Sequence, residues 1–308
     1  MNATTVSRPA VSPQPPRRTR GRWLLLAAVA VVAAIAVVLG VQWWTTGVPP
    51  FTGGYGDRDI LFDDFDGPAG AAPDRNVWSI QTGAGGWGNE ELQEYTEEAV
   101  ELDGEGNLVI TATVPADGST PTSGRLTTHD KWSFTYGRLS ARIQLPEGQG
   151  LLPAFWLLGD SIDTVGWPAA GEIDVVETPN DTSRSVHHLH GPTGRTDRWS
   201  INEGVNMPAP LADDFHVYTV EKHPGRVILA VDDRIVMDVE EWDVPLPGRW
   251  VFDAPTHVLF SLAVGGVWPG SPDATTPTET RMVIDWIMYL PEDQIGDVPI
   301  GASPPKGG

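Results

Sequence analysis

Between residue 59 and about residue 292 the chain is built of short apolar runs separated by Gly, Pro and Asp, and no run has the 3.6-residue period of a helix. Residues 107–114 alternate. So do residues 136–145, where Gly137, Leu139, Ala141, Ile143 and Leu145 share one face. The pattern continues over 215–222. Residues 226–231 and 234–239 flank Asp232-Asp233 and read as a hairpin. Residues 256–264 and 281–290 are apolar strands late in the chain. Antiparallel strands in this number bury their apolar faces against one another, which predicts an all-β fold, a two-sheet sandwich or a jelly roll. The domain is expected over 59–292, with 293–308 as a C-terminal tail. No internal repeat is visible.

One stretch inside this pattern concentrates chemistry. Pro168-Ala-Ala-Gly171-Glu172-Ile173-Asp174-Val175-Val176-Glu177 sets three carboxylates among β-branched residues, and 172–177 reads as a strand. Alternation puts Glu172 and Asp174 on one face and sends Glu177 to the other. One extra residue, a β-bulge at Val175 or Val176, returns Glu177 to the acidic face; bulges are frequent beside active sites, where they re-aim a side chain. The two Glu Cα atoms are then four strand steps apart, roughly 13 Å. Long side chains leaning inward bring the carboxyl groups to about 5 Å, the spacing of nucleophile and acid/base in a retaining glycosidase. Asp174 between them would disfavour ionisation of its neighbours and help keep one Glu protonated at neutral pH. Taken alone, the same residues also fit an amphipathic strand whose acids face water.

The charge balance narrows the partners. The formal net charge is −21. The first 22 residues hold five arginines and no acids and the next 22 hold no charge, so the rest carries 15 basic against 41 acidic residues, a net −26. Such a surface repels nucleic acid and suits a soluble domain outside the cell acting on a neutral substrate. Without cysteine there is neither a disulfide nor a thiolate metal site. Thirteen Trp outnumber eight Phe and five Tyr. Indoles are rigid platforms suited to sugar faces, although several must fill the core.

Residues 1–22 read as a disordered basic tail. Arg17, Arg18, Arg20 and Arg22 abut an uncharged run of nineteen residues, 23–41, followed by Gln42, Trp43 and Trp44. That length is close to the ~20 residues a bilayer requires. A single transmembrane helix over 23–44 is expected, with the arginines cytoplasmic and the folded domain outside the cell membrane. The alternative is a cleaved signal peptide of twin-arginine type and a secreted domain. The run is long for such a peptide, and no small-x-small site follows it. Residues 45–58 form a linker.

Further motifs occur in order around the acidic strand: Phe62-Asp-Asp-Phe-Asp-Gly67, Gly86-Trp-Gly-Asn-Glu-Glu-Leu-Gln93, Thr122-Ser-Gly-Arg-Leu-Thr-Thr128 and Phe134-Thr-Tyr-Gly-Arg138. Pro153-Ala-Phe-Trp-Leu-Leu-Gly159, His190-Gly-Pro192 and Ala263-Val-Gly-Gly-Val-Trp-Pro-Gly270 follow. Together with Gly166-Trp-Pro-Ala-Ala-Gly-Glu-Ile-Asp-Val-Val-Glu177, they resemble glycoside hydrolase family 16, in its laminarinase-like (endo-1,3-β-glucanase) branch, over roughly residues 59–291. The resemblance implies a β-jelly-roll whose concave sheet forms an open cleft for a polysaccharide chain. It implies Glu172 as nucleophile, Glu177 as general acid/base and Asp174 as an assisting acid, working by double displacement. Trp156, Trp167 and Trp268 match cleft tryptophans, and Asn89 and Arg125 match polar residues that hydrogen-bond sugar hydroxyls. His190 matches a histidine near the acid/base. As structural alternatives, the tryptophans would lie behind the sheet and Asn89 or Arg125 would tie down a loop.

The same resemblance implies no cofactor for catalysis, and a structural Ca²⁺ on the convex side at Asp64, the Gly106 carbonyl and Asp285. Asp103-Gly-Glu-Gly-Asn107 is not an EF-hand loop, since Leu108 stands where Gly is needed, and reads as a turn. His188 and His190 share a strand face, but two such histidines alone do not make a zinc site. The chain departs from the family pattern at Val267, where Asn is common, at Pro179, which can end the strand early, and at His187 and His188, where small residues are usual. The reading that follows is a membrane-anchored, monomeric endo-β-glucanase acting on β-1,3 linkages. A catalytically silent glycan-binding protein, a transglycosylase and a hydrolase of another polysaccharide are the alternatives.

Overall fold

The computed structural model describes residues 61–303 apart from 195 and 297. The basic tail (1–22), the apolar run (23–44) and the linker (45–58) lie outside the described residues. Among the described residues no helix is long and apolar enough to cross a membrane.

Seventeen strands are present among the described residues. They are β1 (Phe62–Asp63), β2 (Ser79–Ile80), β3 (Glu94–Tyr95), β4 (Val100–Leu102), β5 (Leu108–Thr113), β6 (Thr122–Ser123), β7 (Arg125–Thr127), β8 (Gly137–Gln144) and β9 (Leu151–Gly159). After the one-turn helix α1 (Ile162–Val165) come β10 (Glu172–Glu177), β11 (Arg184–Pro192), β12 (Arg198–Asn206), β13 (His216–His223), β14 (Arg226–Val231), β15 (Arg234–Glu240), β16 (Thr256–Val264) and β17 (Glu279–Leu290). The short helix α2 (Glu292–Ile295) ends the series. The expected hairpin is β14–β15, and the acidic strand has the predicted bounds.

The strands form two sheets. One runs β12-β11-β10-β9-β16-β7-β2, and the other β15-β14-β13-β8-β17-β5-β6-β3, with β1 and β4 pairing onto β17 and β5. Every pairing but β3–β6 is antiparallel. The core lies between the sheets. Leu139, Ala141, Ile143 and Leu145 of the alternating run are buried in it, as are Ile173, Val175 and Val176 of β10. The tryptophans divide by role. Trp78, Trp132, Trp199 and Trp286 are buried, whereas Trp87, Trp156, Trp167 and Trp268 line a cleft on the outer face of the seven-stranded sheet. The segment after 292, read as a tail, packs back on the domain as far as it is described: Ile295 is buried, and Arg138 Nη1 donates to the carbonyls of Val298 (2.8 Å) and Pro299 (3.1 Å).

Candidate active site

The site is built on β10. Against β9, Asp174 pairs with Trp156, yet Val176 pairs with Phe155, so β10 carries one extra residue, Val175. Against β11, Asp174 pairs with His188 and Glu177 with Val186, the same surplus of one. This is the bulge expected from the acid spacing. It sets Val175 and Val176 together in the core, and Glu172, Asp174 and Glu177 all line the cleft. A bulge leaves backbone groups without their ladder partners. Here His187 supplies one: its side chain is fully buried, its Nδ1 donates to the Val175 carbonyl at 2.7 Å, and its Nε2 accepts from Ser185 Oγ at 2.9 Å. Burial holds the His187 imidazole at a pKa of about 4, hence neutral. A small residue could not reach that carbonyl, which accounts for the unusual histidine.

The three acids sit in a poorly solvated place. Burial, then the charges of Glu177 and Glu172, pushes Asp174 well above the usual carboxylate range. Burial and the Glu177 charge lift Glu172 to about 7, while the Arg125 guanidinium, the Trp167 indole N–H and Arg198 pull the other way. Burial is the first cause of the rise at both Glu172 and Asp174, with the Glu177 charge second. Glu177 Oε2 lies 2.8 Å from His188 Nδ1. His190 Nε2 lies 3.5 Å from Asp174 Oδ2 and 3.8 Å from Glu172 Oε1. Burial, with His188 and Arg198 nearby, keeps His190 neutral, its pKa lowered to about 4, so these contacts are dipolar rather than ion pairs.

The cleft has a volume of about 590 Å³. Aromatic rings follow one another along it. Trp167 lies 6.2 Å from His190, His190 stacks on His188 at 5.2 Å, and His188 meets Trp268 edge-on at 5.5 Å. Trp167 and Trp268 are 43% and 42% exposed, so part of each ring is open to a ligand. Trp156 differs: its Nε1 donates to Ser261 Oγ at 3.1 Å, and the Arg125 guanidinium covers its ring at 4.8 Å. Arg125 also lies 4.9 Å from the Trp87 ring, and its Nε donates to Gln81 Oε1 at 2.6 Å. It lines the cleft, but it is clamped between two indoles. Asn89 also lines the cleft, and its carbonyl accepts from Val267 N at 2.9 Å, so it holds the 265–267 turn as well. Val267 itself is exposed and is not among the cleft-lining residues.

All nine residues expected in the catalytic machinery and cleft therefore meet in one place. Trp87, Glu91, His188 and Arg198 belong there too and were not singled out as site residues. Trp87 was readable in Gly86-Trp-Gly88. Arg198 had no local signal; it arrives on β12 and lies over the Trp167 ring at 5.3 Å. His188, His190 and Asp174 offer donor atoms within 4.8 Å of one another. The calcium positions fit only in part. A Cβ at Gly106 would lie 3.7 Å from the Asp64 carbonyl oxygen, so those two segments adjoin. Asp285, however, is held by Arg142 Nη1 at 2.6 Å, and that guanidinium competes with a cation. The 103–107 segment is the expected turn, with Asp103 Oδ1 accepting from Glu105 N and Asn107 N.

Residues 88–288 match the profile of the glycosyl hydrolases family 16. The chain is 34% identical over 239 residues to a beta-glucanase of Rhodothermus marinus, covering 74% of this chain and 83% of that one. Its structure is similar to the laminarinase catalytic domain of Thermotoga maritima, with a TM-score of 0.68 at 35% identity over 76% of this chain and 97% of the other. It is also similar to a Bacteroides ovatus mixed-linkage glucan protein of this family in complex with a G4G4G3G product, with a TM-score of 0.65 at 28% identity over 75% and 99%.

Proposed function

This chain belongs to the glycosyl hydrolases family 16, and from that we propose an endo-acting β-glucan hydrolase that cleaves β-1,3 linkages in laminarin-like or mixed-linkage chains with retention of configuration. One observation carries the roles of the acids: a single bulge residue turns Glu177 to the face of Glu172 within an open cleft walled by aromatic rings. In the first step the Glu172 carboxylate attacks the anomeric carbon while Glu177 protonates the leaving oxygen. In the second, Glu177 takes a proton from water, which attacks the glycosyl-enzyme and releases Glu172. Asp174, buried beside them and raised above the usual carboxylate range, assists the pair from the same strand face. His188 orients Glu177 through its Nδ1. Trp167 and Trp268 offer faces to successive sugars.

Reducing ends released from laminarin, mixed-linkage β-glucan, cellulose and agarose by the wild type and by Glu172→Ala test this reading. Cleavage of laminarin and mixed-linkage glucan by the wild type alone is expected. Binding without cleavage points to a silent lectin, and cleavage of agarose alone to another backbone.

The reading places the domain outside the cell membrane as a monomer, held by the run at 23–44; its support is the length of that run and its flanking arginines. Calcium beside Asp64 and the Gly106 carbonyl belongs to the same proposal, with Asp285 reaching the ion only by leaving Arg142. Added Ca²⁺ then raises Tm and EDTA leaves the hydrolysis rate unchanged; a Tm indifferent to Ca²⁺ removes the site.

A further inference from the structure

A second cluster of metal-binding side chains lies at one end of the same sheet, outside the catalytic machinery. His129 follows β7, Asp160 follows β9, and His257 is on β16. We propose that His129, Asp160 and His257 form a binding site for a divalent transition-metal ion of the zinc class at the edge of the cleft.

Each of the three residues offers one donor atom, and these atoms lie within 4.8 Å of one another. His257 Nδ1 is 2.9 Å from Asp160 Oδ1, and the two imidazole rings lie 4.3 Å apart, tilted by 34°. A tetrahedral zinc holds its donors about 3.3 Å apart, so small side-chain adjustments suffice. The backbone already fixes the frame. Thr128 and Val258 exchange bonds of 3.0 Å, Thr128 N to the Val258 carbonyl and Val258 N to Thr128 Oγ1, which ties the end of β7 to β16. Asp160 N donates to the Pro255 carbonyl at 2.9 Å. Two further acids stand behind His129: Asp163 Oδ2 at 3.8 Å and Asp130 Oδ1 at 3.9 Å from its Nε2. Lys222, which feels the Asp160 charge, is tied to the Ala254 carbonyl and Thr256 Oγ1. Imidazoles with carboxylates suit zinc and its neighbours, whereas calcium prefers oxygen donors alone.

Register places the cluster. His257 pairs with Leu158, Leu158 with Glu172, and Glu172 with His190, so the four share one row and one face of the sheet. Two strand spacings, about 10 Å, separate His257 from Glu172 at the backbone. Asp160 opens the 160–171 segment that bears α1 and Trp167 and leads into β10. An ion joining Asp160 to β7 and β16 would fasten that segment, and with it one wall of the cleft.

Calorimetric titration of the EDTA-stripped protein with ZnCl₂, paired with thermal unfolding and laminarin hydrolysis, tests the proposal. One site of micromolar affinity or tighter, a raised Tm and retained hydrolysis at one equivalent are expected. His129→Gln, a change at a partly exposed ring, should weaken binding by at least about tenfold and cancel the Tm rise. Asp160→Asn should do the same, and spares the buried His257. Absence of zinc binding overturns the proposal. So does binding that survives His129→Gln and blocks hydrolysis, which would assign the ion to Asp174, His188 and His190. A glucanase that fails here stays a glucanase, since the hydrolysis of laminarin is read separately.

Discussion

At the residue scale the acids of β10 work against the stability of the fold. Burial raises Glu172 from its ordinary 4.5 to about 7, so above pH 7 the folded chain carries a charge that the unfolded chain holds more easily. A shift of that size corresponds to roughly 3 kcal/mol, part of which belongs to the coupling with Glu177. Glu172→Gln should therefore be more stable than the wild type at pH 8 by roughly 2 kcal/mol while inactive. The folded pKa is the raised one, so the penalty fades as pH falls from 7 to 4.5, and the gain should vanish below that; urea unfolding at pH 8 and pH 4.5 reads the difference. Arg125 lowers the same group. Arg125→Gln should accordingly move the acid limb of kcat/KM on laminarin to higher pH, and an unmoved limb would mean that another group controls it. The spacing of the three acids was legible in the sequence. The upward shift of Glu172 and Asp174 by burial was not, because it depends on how much water the other strands exclude.

At the element scale the decisive feature is one surplus residue in a strand. Deleting Val175 leaves Glu-Ile-Asp-Val-Glu, in which regular alternation still keeps the three acids on the cleft face, whereas deleting Val175 and Val176 together turns Glu177 toward the core side. The first protein should keep measurable hydrolysis, and the second should fold poorly and show none, by circular dichroism and reducing-end assay. A subtler test lies in β11. His187→Leu leaves the Val175 carbonyl without its donor, at about 1–3 kcal/mol, and should lower Tm. If the bulge relaxes as a result, kcat falls more than KM rises. The bulge could be read from β10 alone, since Glu-x-Asp-x-x-Glu cannot put three acids on one face otherwise. The use of His187 could not, because ladder register joins β10 to β11 only once both are placed. His187 and His188 read as departures in the sequence; their adjacency on a strand gives one to the core and one to the cleft.

At the scale of the whole molecule, a chain of net charge −21 with an acidic cleft favours neutral polysaccharide. Hydrolysis of laminarin should be nearly indifferent to salt between about 0.05 and 0.5 M. For a carboxymethylated β-1,3-glucan, KM should be higher at low salt and fall as screening grows; initial rates at both ionic strengths decide it. The sequence by itself determined the sandwich class, the strand bounds around the catalytic acids and the need for a bulge, which follow from a period of two, turn residues and steric preference, all local to a few neighbouring residues. Most of the cleft aromatics came from the resemblance of its motifs to the family. Only the tertiary structure decided that Arg125 is clamped between Trp87 and Trp156, that Arg198 reaches Trp167, that burial raises the Asp174 carboxyl, and that His129, Asp160 and His257 meet. Each of those joins residues from strands far apart in the chain, and both their contacts and their electrostatics arise from the packing that excludes water between them.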